Sequence, residues 1–283
     1  MTGLAVAASG AARAAGAEAR GLFWTATPPG EPPSFLFGYA RTAAAVTADI
    51  VKDGDRFAEQ AQRVVADIPN VQFARISLPH DRLPPISGRV SAATADRIRA
   101  VIDKSFSSLP NKDKLSGFET ALLLHAEGQT PAQPSVGGTI AEHAQATGKP
   151  IAYLVSADEA KAAFHPPDPV ALDQRINEQT LVYLLDLRDR LGPIGKYEES
   201  LYTARRTDDL SKLGVEMKQH GALTTADLLP TSTLEETILA RALQAVQTPQ
   251  DRAFLMVAVG TLTRDGGVLS KLRESGVQVA LSA

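Results

Sequence analysis

The sequence predicts an α/β (α+β) fold: a mixed central β-sheet built from N- and C-terminal strands, flanked by helices, with a helical middle region. Three observations carry this reading. Short aromatic and apolar runs occupy residues 22 to 39, the most apolar run of the chain, FLMVAV, lies at Phe254–Val259, and most of the chain between them spaces its apolar residues as helices do. Strands near both ends with helices in the middle are satisfied by one sheet covered by helices.

The elements follow in order. LFWTAT (Leu22 to Thr27) and SFLFGY (Ser34 to Tyr39) are separated by PPGEPP, whose prolines cannot continue a ladder, so the pair reads as a β-hairpin. From Asp55, Phe57, Ala61, Val64 and Val65 share a helical face up to Pro69-Asn70, after which VQFARISL reads as a strand. Ser91 is placed to cap a helix bearing Ile98, Val101, Ile102 and Phe106, and a further helix carries Leu115, Phe118, Leu122 and Leu123. Residues 126 to 138 are rich in proline, glycine and polar side chains and read as a surface loop before a short helix at Ile140 to Ala146.

GKPIAYLV gives a turn and a buried strand, and Ser156-x-x-Glu159 is a capping box that opens the next helix. Asp168-Pro169 starts a long helix through Leu172, Ile176, Leu184 and Leu187, which Gly192-Pro193 stops. One or two shorter helices fill Lys196 to Gly221, and Ser232-x-x-Glu235 is a second capping box before Ile238, Leu239, Ala242 and Val246. After FLMVAV come Gly266-Gly267, a short helix with Val268, Leu269 and Leu272, Gly276 as its C′ residue, and the closing strand VQVAL.

Composition narrows the class. The 283 residues are 44% hydrophobic and 22% charged, which suits one globular domain over 21–283 preceded by an alanine-rich tail at 1–20. The tail contains Ala-x-Ala runs such as Ala15-Gly16-Ala17, yet no basic residue precedes its apolar stretch and Arg13 interrupts it. It reads either as a degraded signal segment, with a periplasmic or secreted protein, or as a plain tail on a cytoplasmic one. No later run approaches the ~18 apolar residues of a membrane span, so an integral membrane protein is not expected. A formal net charge of −3 with scattered lysines and arginines argues against nucleic acid as a partner. The chain has no cysteine, which removes disulfides, thiolate nucleophiles and cysteine metal sites.

Three segments carry a resemblance. FLFGYAR (Phe35 to Arg41), GKPIAYLV (Gly148 to Val155) and VAVGTLTRDGGVLSKLRESGVQV (Val257 to Val279) resemble, in order and spacing, the typical motifs of the TraB/GumN (Tiki-like) family, over about Leu22 to Val279. The resemblance implies a pocket at strand ends in which two G-x-x-H histidines and nearby glutamates hold a divalent metal for hydrolysis, the metal acidifying a bound water. This chain departs at each place. Gly38-Tyr39-Ala40-Arg41 has arginine where the first histidine belongs, Gly260-Thr261-Leu262-Thr263 has threonine for the second, Val155 stands where glutamate follows the mid-chain strand, and VQFARISL shows no counterpart of the family's acid after the first helix. Arginine offers no lone pair and repels a cation. The candidate pocket is therefore Gly38, Tyr39, Arg41, Val155, Gly260 and Thr263, with no metal, no cofactor and no catalytic residue expected.

The five histidines, His80, His125, His143, His165 and His220, fall in separate segments without H-x-x-x-H spacing. Ser77-Leu78-Pro79-His80-Asp81 is a strand exit rather than a triad, since triads converge in space and not in five consecutive residues. Gly137-Gly138 lacks the context of a phosphate loop and reads as a turn. Trp24 and Phe37 read as sheet packing. Arg41 has two readings, a surface arginine paired with an acid such as Asp49, or a guanidinium that binds a carboxylate or phosphate with Thr263 and Tyr39 nearby. The expected function is a catalytically degenerate TraB/GumN-like binding or regulatory scaffold for an unknown protein or small anionic ligand. The alternatives are a hydrolase of that class with a remodelled, metal-independent site, and a protein-binding surface on the helical middle, 91–247.

Overall fold

A computed structural model of the chain describes residues 21–40, 42–69, 83–131, 134–163, 169–222, 232–247 and 252–282. The N-terminal tail, VQFARISL and the His80 cluster lie outside the described residues.

The hairpin forms as expected. Strand β1 (Phe23–Thr27) pairs antiparallel with β2 (Ser34–Tyr39), with Phe23 opposite Phe37 and Ala26 opposite Ser34. Helix α1 (Ala48–Gln60) then leads into β3 (Arg63–Ala66). This differs from the sequence reading, which ran the helix through Val64 and Val65. The helix ends at Gln60 because burial asks the opposite of those two valines: Val64 points to one face of the sheet and Val65 to the other, an alternation only a strand provides.

Helices α2 (Ala92–Ser105) and α3 (Gly117–Ala126) follow. Ser91 caps α2 by accepting from Thr94 N, and Ser116 and Glu119 form a full capping box at α3. Helix α4 (Val136–Ala146) starts four residues earlier than expected, capped by Ser135, so Gly137 and Gly138 belong to its first turn and not to a loop. Strand β4 (Ile151–Tyr153) is a short edge strand with Tyr153 45% exposed, not the buried strand predicted; burial begins after it, at Leu154 and Val155.

Ser156 and Glu159 make the expected box at α5 (Ala157–Ala163). The single long helix predicted from Pro169 is two, α6 (Pro169–Arg175) and α7 (Glu178–Leu191), because Asn177 leaves helical geometry and caps α7 through Thr180 N. Helices α8 (Ile194–Thr203), α9 (Thr207–Gln219) and α10 (Ser232–Gln247) precede β5 (Ala253–Ala258), α11 (Val259–Thr263), α12 (Val268–Glu274) and β6 (Gln278–Leu281). Gly276, at φ +83, closes α12 as a C′ residue. Among the described residues no helix is long and apolar enough to cross a membrane.

The six strands form one mixed sheet in the order β4-β3-β5-β2-β1-β6. Strand β5 is central and parallel to both β3 and β2, while β1 is antiparallel to β2 and β6. Alternate side chains divide between two cores. Trp24, Leu36, Val65, Leu255 and Val257 pack under α10, α11 and α12; Phe23, Phe37, Val64, Phe254 and Met256 pack under α1 and α4. A third core joins α2, α3, α6, α7, α8 and α9 around Phe118, Ile176 and Leu184. That helical middle meets the sheet layers through Tyr202, which is buried with the α1 face and donates to Gly38 O (3.4 Å).

Phe37 is fully buried and stacks on Phe23 at 4.6 Å between ring centres, with Phe254 beyond it at 6.2 Å. Phe37→Ala should therefore lower unfolding free energy by about 3–5 kcal/mol, measured by urea denaturation. Val215→Ala, at a site 57% exposed, should change it by no more than about 0.5 kcal/mol.

Candidate functional site

In a sheet of mostly parallel strands, the carboxyl ends share one edge, and the crevice outside that edge is where open α/β sheets place ligands. Here β2 ends at Tyr39, β3 at Ala66 and β5 at Ala258, in register as neighbours: Tyr39 faces Ala258 and Ala66 faces Met256. The residue after β3 is Asp67, and it is 3% exposed.

Three donors converge on its carboxylate. Tyr39 Oη donates to Oδ1 at 2.6 Å, Ile68 N donates to Oδ1 at 2.7 Å, and Ala258 N donates to Oδ2 at 3.1 Å. The backbone of Asp67 is committed as well, its N–H to Met256 O (3.1 Å) and its C=O to Val155 N (3.1 Å). One residue thus joins the ends of β2, β3 and β5 and the chain leaving β4. Burial pushes the Asp67 carboxyl up to about 6, against the three hydrogen bonds, which favour the charged form. Burial also raises the Tyr39 phenol well above its ordinary range, and the adjoining Asp67 charge and hydrogen bond raise it further. Tyr202 is raised mainly by burial.

The rest of the edge is shaped by close approach. Gly38 sits where α11 crosses β2: a methyl group there would lie 3.1 Å from Leu262 Cδ2 and Val259 Cγ2, so a side chain would make those neighbours give by a few tenths of an ångström. On the other side of Tyr39, α4 begins with Gly137 against the phenol ring. Arg241 fixes the end of β4, donating to Leu154 O at 2.7 Å and to both oxygens of Glu159.

Of the predicted positions, Tyr39 meets Asp67 through its hydroxyl and Val155 through its main-chain N–H, Gly38 precedes Tyr39 in β2, and Gly260 and Thr263 lie on α11, the helix that follows Ala258. Val155 is fully buried, and its side chain belongs to the α10 core. Gly260 is exposed, and the Thr263 hydroxyl is turned inward on its own helix, donating to Val259 O at 2.8 Å. Arg41 lies outside the described residues.

The sequence reading sought an acid in VQFARISL, taken as the strand after the first helix, and there the structure differs. The strand after the first helix is β3, and Asp67 stands directly at its end. The readable signal was the β-branched pair Val64-Val65 followed by Asp67-Ile68-Pro69, an apolar run with a turn exit. The helical spacing of Phe57 and Ala61 masked it.

The described histidines do not approach this edge. His125 Nε2 lies 2.9 Å from Glu198, His143 Nδ1 lies 2.9 Å from Asp55, and His220 stacks on Tyr183 at 4.1 Å. His80 and His165 are outside the described residues. Among the described residues no three histidine, aspartate or glutamate side chains gather as a metal-binding group. Comparison of the chain with protein-family models, with curated proteins and with solved structures found no match.

The edge therefore presents a desolvated carboxylate–phenol pair held by main-chain donors, chemically able to exchange one proton near pH 6. The linkage has a definite sign. The folded-state pKa of Asp67 lies above the ordinary 3.8, so the folded state holds its proton more tightly than the unfolded chain. The stability from this group is full below about pH 4 and is lost as pH rises to about 6, by roughly 3 kcal/mol across that window. Asp67→Asn should remove this slope, and Tyr39→Phe, which deletes a donor to the charged form, should move its upper end to higher pH. Urea denaturation between pH 3.5 and 7.5 measures both.

Proposed function

We propose that this chain is a divergent TraB/GumN-like protein that serves as a binding or regulatory scaffold without metal-dependent hydrolysis. The observation that supports it most is the commitment of Asp67. Asp67, a buried acid at the strand edge, commits both carboxylate oxygens to Tyr39, Ile68 and Ala258. A carboxylate already satisfied by three protein donors gains less from a cation than an open one. The neighbouring motif positions add Val155 and an inward-turned Thr263, neither of which presents an imidazole or carboxylate.

A second reading has its own support. A carboxyl raised to about 6 suits a general base near neutral pH, which favours a metal-independent hydrolase. In that case an activity that persists in chelator should fall at least a hundredfold in Asp67→Asn.

The scaffold reading predicts no stoichiometric zinc, manganese, cobalt or iron in the purified protein after exposure to each metal, and no rise in melting temperature. Elemental analysis with parallel thermal unfolding tests it. About one metal per chain with a raised melting temperature, as linkage demands of a ligand that binds the folded state, would reject it.

A further inference from the structure

The turn between α8 and α9 holds an unusual pair of arginines. Helix α8 is closed by Arg206 N donating to Leu201 O (2.8 Å) and Arg205 N donating to Tyr202 O (2.9 Å), which puts Arg205 at the position glycine normally takes. Its φ is +58. A side chain in that region costs on the order of 1 kcal/mol against glycine, so the arginine is kept there against its backbone preference. Observed strain of this kind points to a role for the side chain.

Two contacts orient the Arg205 guanidinium. It is ion-paired with Asp53 and lies 3.5 Å from Asp49, both on α1, and it rests 5.8 Å from the centre of the Phe23 ring. The helical middle is thereby pinned to the sheet layers, and Arg205 also lines a half-open surface pocket of about 460 Å³ together with Ala204, Arg206 and Asp209. That volume suits a small molecule.

Charge in this pocket is unevenly balanced. Arg206 uses only Nε, donating to Asp209 at 2.8 Å, and among the described residues its two terminal nitrogens have no protein partner. Asp209 is shared with Lys212 at 3.9 Å, and Asp53 with Arg56 at 3.5 Å. The pocket lining itself therefore carries two guanidinium groups, Arg205 and Arg206, against one carboxylate, Asp209, while Asp49 and Asp53 on α1 pair with Arg205 from outside it. The planar edge formed by two guanidinium nitrogens is the group that recognises an oxyanion in bidentate fashion.

We propose that the pocket at Arg205 and Arg206 binds the oxyanion head, phosphate or carboxylate, of a small molecule, with Arg206 as the main ligand and Arg205 as the fixed second cation. Such a molecule is the ligand class of the scaffold described above. The site rests on that reading only for its biological use, because its geometry involves neither Asp67 nor any TraB/GumN motif position.

Isothermal titration of the full chain with inorganic phosphate, and separately with succinate, tests the site. One saturable site per chain is expected for at least one of the two, weakening as salt rises, and whichever binds identifies the head group. Arg206→Gln should weaken binding tenfold or more. Arg205→Gly, which keeps the left-handed turn and removes the guanidinium, should weaken it at least threefold without loss of fold by circular dichroism. Arg99→Gln, which removes another exposed arginine charge, on α2, should leave it unchanged. Absence of saturation by both anions, or equal weakening in Arg99→Gln and Arg206→Gln, overturns the proposal. Stoichiometric metal at Asp67 would reject the metal-free reading and leave this titration untouched, so the two can fail separately.

Discussion

Asp67 stands at the end of β3, accepts a hydrogen bond from the side chain that ends β2, and accepts another from the main chain where β5 turns into α11. Because β5 lies between β3 and β2, this carboxylate reaches across the central strand and locks three carboxyl ends at a common height. Its main chain adds the link to Val155 beyond β4. Burying a charge costs several kcal/mol unless donors replace the lost water. Three donors meet part of that cost and leave the carboxyl raised to about 6 rather than neutral throughout. The geometry of the candidate site depends on this arrangement, since every described motif position is attached to one of the four chain segments that Asp67 joins.

Around this edge the molecule is built as three cores. The two faces of the sheet are filled by alternate residues of the same strands, with an aromatic group of Phe23, Phe35, Phe37, Phe57 and Phe254 on the α1 side. The helical middle has an apolar core of its own, which lets it be ordered without leaning heavily on the sheet. Polar groups help tie it down: Tyr202 to the backbone of Gly38, and Arg205 to the acids of α1. The carboxylate edge and the arginine pocket thus lie on either side of one junction. Tyr202 belongs to it, neighbouring Tyr39 on one side and Arg205 on the other.

How far the sequence could be read depended on the range of each signal. The hairpin, the Ser91 cap, the Ser156 capping box and the β5 run are encoded within a few residues, and each formed where expected. Val64 and Val65 satisfy both a helical stripe and a strand alternation; only the two-sided burial chose the strand, and with it the position of Asp67. Asn177 interrupts an otherwise continuous helical pattern because its side chain caps Thr180, a competition between side chain and backbone that apolar spacing does not reveal. Gly137 and Gly138 read as a turn by composition, yet the Ser135 cap and contact with Tyr39 hold them in α4.

By itself, then, the sequence determined the class of fold, the hairpin, the central strand and the closing α12–β6 unit, because alternation, helical period and caps act between near neighbours. The order of the strands, the two-sided core and the meeting of Tyr39, Asp67 and Ala258 were decided only by the tertiary structure. Asp67 and Ala258 are 191 residues apart in the chain. No local preference can encode such a pair; it exists because β5 inserts between β3 and β2 and aligns their ends, and because a buried carboxylate must find donors wherever the fold supplies them.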